Sequence, residues 1–123
     1  VSESQGIISP ALQLLGLLLA IVLAIGIAWY GIYQVRMHDP YVQQVMAVAG
    51  VPEQGREIFQ INCAGCHGAE AHGLVGPSLD RISERKSRLG LIHQVVSGDT
   101  PPMPKFQPSP EEMANLLSYL RSL

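Results

Sequence analysis

Both cysteines of the chain fall within Asn62-Cys63-Ala64-Gly65-Cys66-His67-Gly68, three positions apart, with an imidazole on the next residue. Residues three apart on a helical turn share a face. Two thiols placed so can form thioethers with the two vinyl groups of one porphyrin. The adjacent His67 can then set its ring under the iron as an axial ligand. Two rival chemistries use similar residues. A dithiol redox site needs a strand–helix context, whereas the flanks here read as helical and no strand alternation is visible. A zinc site needs four ligands. Cys63, Cys66 and His67 could be joined on paper by His72 or His93, but the usual second ligand pair is missing. A disulfide between Cys63 and Cys66 would close a tiny loop and stabilise little. The pattern points to one covalent haem c, held by Cys63 and Cys66.

The sixth iron position decides what such a group can do. Met103 stands in Thr100-Pro101-Pro102-Met103-Pro104, 36 residues beyond His67. Prolines on both sides fix the backbone and forbid helix, so the segment can present one thioether rigidly. Met113 is expected in a core, and Met37 and Met46 in a membrane-proximal link. His72 and His93 stay open as alternative nitrogen ligands. With His67 and Met103 both bound, the iron has no free position, and one-electron transfer rather than catalysis is expected. A methionine ligand also raises the potential.

Helices must position these groups, and the expected fold is all-α. Asp39-Pro40 reads as a cap followed by a first-turn proline, with Tyr41, Val42, Val45, Met46 and Ala49 on one face. Gly50 and Pro52 end that element, and Gly50 is a candidate pivot. Pro52 to Phe59 reads as a helix running into the Cys63–His67 cluster. Arg88 to Ser97 reads as a second, with Leu89, Ile92 and Val96 inward and Gly98 as its end. Ser109-Pro110-Glu111-Glu112 carries a capping box. Met113, Leu116, Leu117 and Leu120 follow at helical spacing. Such a small domain buries a limited core, to which a haem would add apolar mass. Arg81, Arg85, Lys86 and Arg88 cluster before the second helix; docking to acidic partners, pairing with haem propionates and a solvated face all fit.

The charge distribution divides the chain of 123 residues. Eight basic and ten acidic side chains leave a net charge of −2, which gives no reason to expect nucleic-acid binding. None of those charges lies between Ser4 and Val35. Leu12 to Tyr33 is dominated by Leu, Ile, Val, Ala and Gly, and its length of roughly 33 Å at 1.5 Å per residue matches a bilayer core of about 30 Å. Trp29, Tyr30 and Tyr33 gather where an aromatic belt would lie. The run is too long and its start too poor in bases for a cleaved signal peptide. Gly16, Ala20, Ala24 and Ala28 recur every four residues, a register that lets another helix approach. The expected division is an N-terminal tail at 1–11, a transmembrane helix at 12–33, a short helical linker at 34–50 and a monohaem domain at 51–123. The linker should hold that domain close to the membrane surface. Arg36, on the C-terminal flank, votes weakly for a cytoplasmic placement of that flank.

The stretches "GREIFQINCAGCHG", "GPSL", "PPMPKF" and "LLSYL" together resemble class I cytochromes c, over Val51 to Leu123. The resemblance implies that Cys63 and Cys66 bind haem and that His67 and Met103 are axial. It also implies that Gly55 and Phe59 meet Tyr119 where the first and last domain helices cross, that the Pro77 carbonyl accepts the His67 ring N–H, and that Leu79 packs on the haem. This domain departs from many members in having no aromatic residue between Phe59 and Phe106. The whole chain, anchor included, looks like the cytochrome cM family of membrane-bound cyanobacterial cytochromes. That resemblance implies a thylakoid or plasma membrane location, with haem attached on the lumenal or periplasmic side and the N-terminus cytoplasmic, overruling Arg36. It implies partners among the cytochrome bf complex, a terminal cytochrome oxidase and photosystem I. The expected function is a membrane-tethered one-electron carrier of photosynthesis or respiration. The alternative is a fixed haem-bearing subunit of a larger membrane complex; a catalytic or gas-sensing haem would need Met103 off the iron.

Overall fold

The computed structural model describes residues 8–123. The part of the expected tail up to residue 7 lies outside the described residues. Among the described residues every regular element is helical. The chain divides into two compact units that meet between Val35 and Arg36.

Among the described residues, the first unit contributes one helix. α1 runs from Pro10 to Met37, with Ser9 accepting from the Leu12 N–H at 3.3 Å and Pro10 at the first helical position, where its missing N–H costs nothing. The side chains of Leu12, Leu19, Leu23 and Ile27 are all more than half exposed. The helix is long and apolar enough to cross a membrane.

The second unit, Arg36–Leu123, holds six short helices: α2 (Pro40–Ala47), α3 (Pro52–Asn62), α4 (Ala64–His67), α5 (Ile82–Arg85), α6 (Arg88–Ser97) and α7 (Pro110–Leu120). The caps form as their residue types dictate. Asp39 accepts from the N–H groups of Tyr41 and Val42. Ser109 and Glu112 exchange bonds of 3.2 and 2.9 Å at the start of α7. Gly98 ends α6 with φ 65°.

The core forms where α3 crosses α7. Phe59, Met113, Leu116 and Leu117 are fully buried, and the rings of Phe59 and Tyr119 lie 5.3 Å apart at a tilt of 54°. The crossing is close because position 55 is glycine: a Cβ there would overlap the Asn115 carbonyl oxygen and lie 2.8 Å from Tyr119 Cβ. Asn115, buried at this seam, accepts from Val51 N–H at 2.8 Å and donates to Gln54 at 2.9 Å, which removes the penalty of an unpaired buried amide.

Three details depart from the sequence reading. Gly50 is no pivot, because it is pressed against the Ala114 backbone of α7, and α2 adds Val42 and Val45 to the core. Ala49 is exposed, because α2 ends at Ala47 and Val48 is extended. On α6 the fully buried residues are Leu91, Ile92 and Val95, with Leu89 and Val96 half-buried. The apolar run at 89–96 offers two adjacent faces, and the return chain chooses between them through Phe106 N–H to Val95 carbonyl at 2.9 Å.

Candidate functional site

α3 delivers the chain to the cysteines. Its ladder closes on Cys63, whose N–H reaches the Phe59 carbonyl at 2.8 Å. One further turn, α4, brings Cys63, Cys66 and His67 together, with His67 N–H on the Cys63 carbonyl at 3.0 Å. Both thiols are free, Cys66 exposed and Cys63 half-buried. Burial, then the neighbouring Cys66 thiol, pushes the Cys63 thiol up to about 11. A dithiol exchange site needs a depressed pKa at its attacking cysteine, which Cys63 does not offer.

The loop after α4 folds back beneath it. Gly76 N–H meets the Cys66 carbonyl at 2.6 Å, and Gly73 N–H meets the His67 carbonyl at 2.8 Å. This places the Pro77 carbonyl oxygen 2.8 Å from His67 Nδ1. A carbonyl can only accept, so Nδ1 carries a proton, which in the neutral ring leaves the Nε2 lone pair free. Gly76 passes directly beside the ring: a Cβ at this position would lie 3.0 Å from both Cε1 and Nδ1 of His67. Leu79 is half-buried against the core and ties to Ala71 through its N–H at 2.8 Å.

Met103 is half-buried against the core, in a turn closed by its N–H on the Thr100 carbonyl at 3.0 Å. Gln94 of α6 reaches this turn twice, donating to Thr100 Oγ1 at 2.8 Å and approaching Met103 Sδ at 4.0 Å. Gln94 and Gly76 were missed by sequence reasoning. Gly76 begins the "GPSL" run already noted, whereas nothing in the primary structure marks Gln94.

The alternative nitrogen ligands are held by carboxylates. His72 Nδ1 lies 2.8 Å from Asp80 Oδ1, whose carboxyl is held below its usual range by the Ser78 hydroxyl first and His72 second. His93 Nε2 lies 3.1 Å from Asp99 Oδ2 and 3.3 Å from Arg36 Nη2. The arginine-rich cluster separates into different roles: Arg81 pairs with Glu84 at 3.6 Å on the surface, Arg85 donates to the carbonyls of Ser78 and Asp80, and Arg88 is half-buried.

These residues fit a covalent haem on three grounds. Two unpaired thiols share one turn with an imidazole, that imidazole presents a free Nε2, and a glycine keeps the space beside the ring clear. The assembly is that of a c-type haem-attachment unit.

Comparison with known proteins agrees. The family described as "Cytochrome C oxidase, cbb3-type, subunit III" matches residues 50–120. "Cytochrome c-553-like" of Synechocystis sp. is 60% identical over 85 residues, covering 69% of this chain and 81% of that protein. The "Cytochrome bc1 complex cytochrome c subunit" of Corynebacterium diphtheriae is 32% identical over 78 residues, which cover 56% of this chain and 26% of that one. Among solved structures, cytochrome cL from Hyphomicrobium denitrificans superposes with a TM-score of 0.55 at 26% identity, covering 69% of this chain and 59% of its own. The chain belongs to the cytochrome c family. Its cofactor is haem c, its fold is the all-helical cytochrome c fold, and its activity is that of a haem-based electron carrier that exchanges electrons with other redox proteins.

Proposed function

We propose that the chain is a membrane-tethered one-electron carrier, in which residues 12–33 of α1 are the membrane anchor and residues 51–123 the haem domain. In this reading Cys63 and Cys66 would hold the haem by thioethers, His67 Nε2 and Met103 Sδ would ligate its iron, and Leu79 would pack against it. The bound haem supplies a reversible one-electron couple. The Pro77 carbonyl orients the His67 ring and fixes its tautomer. Gln94 holds the Met103 turn from the α6 side. With His67 and Met103 both holding the iron, small ligands would have no entry. The observation that carries this reading is the 2.8 Å contact between His67 Nδ1 and Pro77 O, which leaves Nε2 free on the same turn as both thiols.

The Synechocystis relative supports a cyanobacterial setting, in a thylakoid or plasma membrane with the haem domain lumenal or periplasmic and the N-terminus cytoplasmic. The cytochrome bf complex, a terminal oxidase and photosystem I are then the expected partners. Carbon monoxide tests the site: the native reduced protein in its membrane should not bind it, and rapid binding would defeat the reading. Carbonate washing tests the tether, since release of the haem protein from the membrane would rule it out.

A second reading, a fixed subunit of a larger complex, is favoured by the matched family, described as an oxidase subunit, and by the Corynebacterium relative, a bc1-complex subunit. Mild detergent extraction separates the two. Stoichiometric co-purification supports a subunit, and migration as a small free protein supports a carrier.

A further inference from the structure

The Pro77 carbonyl that meets His67 belongs to a loop with no regular structure, between α4 and α5. Ala71 takes φ 60° there with its side chain fully buried, a backbone region that a Cβ disfavours. Contacts between the arms, rather than local preference, must therefore hold the loop. Its neck is closed by Leu79 N–H on the Ala71 carbonyl at 2.8 Å. On the next residue of each arm, His72 Nδ1 meets Asp80 Oδ1 at 2.8 Å. The second carboxylate oxygen accepts from Ser78 Oγ at 2.9 Å, and Ser78 Oγ accepts from Asp80 N–H at 3.2 Å. The Asp80 carboxyl, held below its usual range by Ser78 first and His72 second, stays ionised at neutral pH. It can then only accept, so both neighbours donate to it. Arg85 Nη2 adds bonds to the carbonyls of Ser78 and Asp80. Pro77 stands immediately before this group, with its own carbonyl oxygen 2.8 Å from His67 Nδ1.

We propose that His72, Ser78 and Asp80 form a clasp that positions the Pro77 carbonyl and thereby tunes His67 as a ligand. The inference rests on His67 as an axial ligand, and it adds three side chains that act on the iron only through that carbonyl. An acceptor on Nδ1–H makes the imidazole more basic. A more basic ligand favours the ferric state, which carries the greater positive charge, and so lowers the potential. The Nδ1 bond has full strength only while the carbonyl stays aligned, because hydrogen bonds weaken steeply with angle. His72 and Asp80 are 71% and 52% exposed, and exposed pairs of this kind contribute little to global stability. Their effect is local: Asp80 ties the residue after Pro77 to the opposite arm of the loop.

The experiment compares Ser78→Ala, His72→Ala and Asp80→Ala with the native full-length, haem-loaded protein in detergent. None of the three residues belongs to the buried core, so the fold survives each change. One readout is the midpoint potential. The other is the exchange of the His67 Nδ1 proton with water in the reduced protein, followed by NMR. A slackened carbonyl speeds that exchange severalfold. Losing part of one hydrogen bond is worth about threefold in an equilibrium, which at 59 mV per tenfold raises the potential by roughly 30 mV in every variant. The shared direction matters, since one variant removes a carboxylate, one an imidazole and one no charge at all. Potentials that follow charge instead, up in Asp80→Ala, down or unmoved in His72→Ala and unmoved in Ser78→Ala, would overturn the clasp. Native exchange rates in all three would do the same. Asp80→Asn keeps an oxygen that accepts from His72 and should exchange more slowly than Asp80→Ala; equal rates count against the proposal. The far-red band of the oxidised native protein reports Met103 separately, so a negative result with that band present strikes the clasp and not the ligation.

Discussion

Replacing Gly55 by alanine tests whether the α3–α7 crossing holds the haem unit together. The added methyl group would overlap the Asn115 carbonyl oxygen, a backbone atom that can move only if α7 moves. Overpacking of this kind costs about 3 kcal/mol. Parting the helices also loosens the Phe59–Tyr119 ring pair, worth about 1 kcal/mol, and weakens the Val51–Asn115 hydrogen bond, about 1 kcal/mol more. Alanine regains about 1 kcal/mol of helix propensity. The net loss is about 4 kcal/mol, which for a unit of this size lowers the melting temperature by roughly 15 °C or more. Thermal unfolding of the haem-loaded full chain, followed by Soret circular dichroism, measures it. Gly26→Ala is the control, since a Cβ there meets nothing within 4 Å. A melting temperature for Gly55→Ala within 2 °C of the control would refute the close crossing.

Four further outcomes follow. Ser109→Ala should cost about 1 kcal/mol by removing the α7 cap, read by denaturant unfolding. The Glu112 carboxyl is held below its usual range, chiefly by the Ser109 backbone N–H. Its stabilisation is therefore complete above the ordinary glutamate value of about 4.3 and lost as pH falls through its lowered folded value, so Glu112→Gln should flatten the acid limb of a stability–pH curve. Gln94→Leu removes the amide near Met103 Sδ; a weak bond of about 0.5 kcal/mol converts, at 59 mV per tenfold, to a potential lower by roughly 20 mV in a redox titration, and an unchanged potential would deny Gln94 that role. Leucine at both Ala20 and Ala24 should reduce co-purification with any complex that packs on that face of α1, and unchanged assembly would dismiss a helix contact there.

Local chemistry was readable and tertiary contact was not. The caps at Asp39 and Ser109, the glycine end of α6 and the thiol–imidazole turn depend on neighbours within a few residues, and their residue types announce them. The Gly55–Tyr119 crossing came from family resemblance, not from periodicity. What stayed hidden needs two distant segments at once. Gly50 looks like a hinge until Ala114 is laid against it. Arg88 looks like one more surface base until the fold buries its Nε. Gln94 is an ordinary polar residue on α6 until the Met103 turn folds over it.

The far-red charge-transfer absorption of the oxidised full-length protein asks most directly whether iron sits between His67 and Met103. A thioether–iron band should be present in the native protein and vanish in Met103→Leu. A native spectrum without that band, or a band that survives the substitution, would contradict the account.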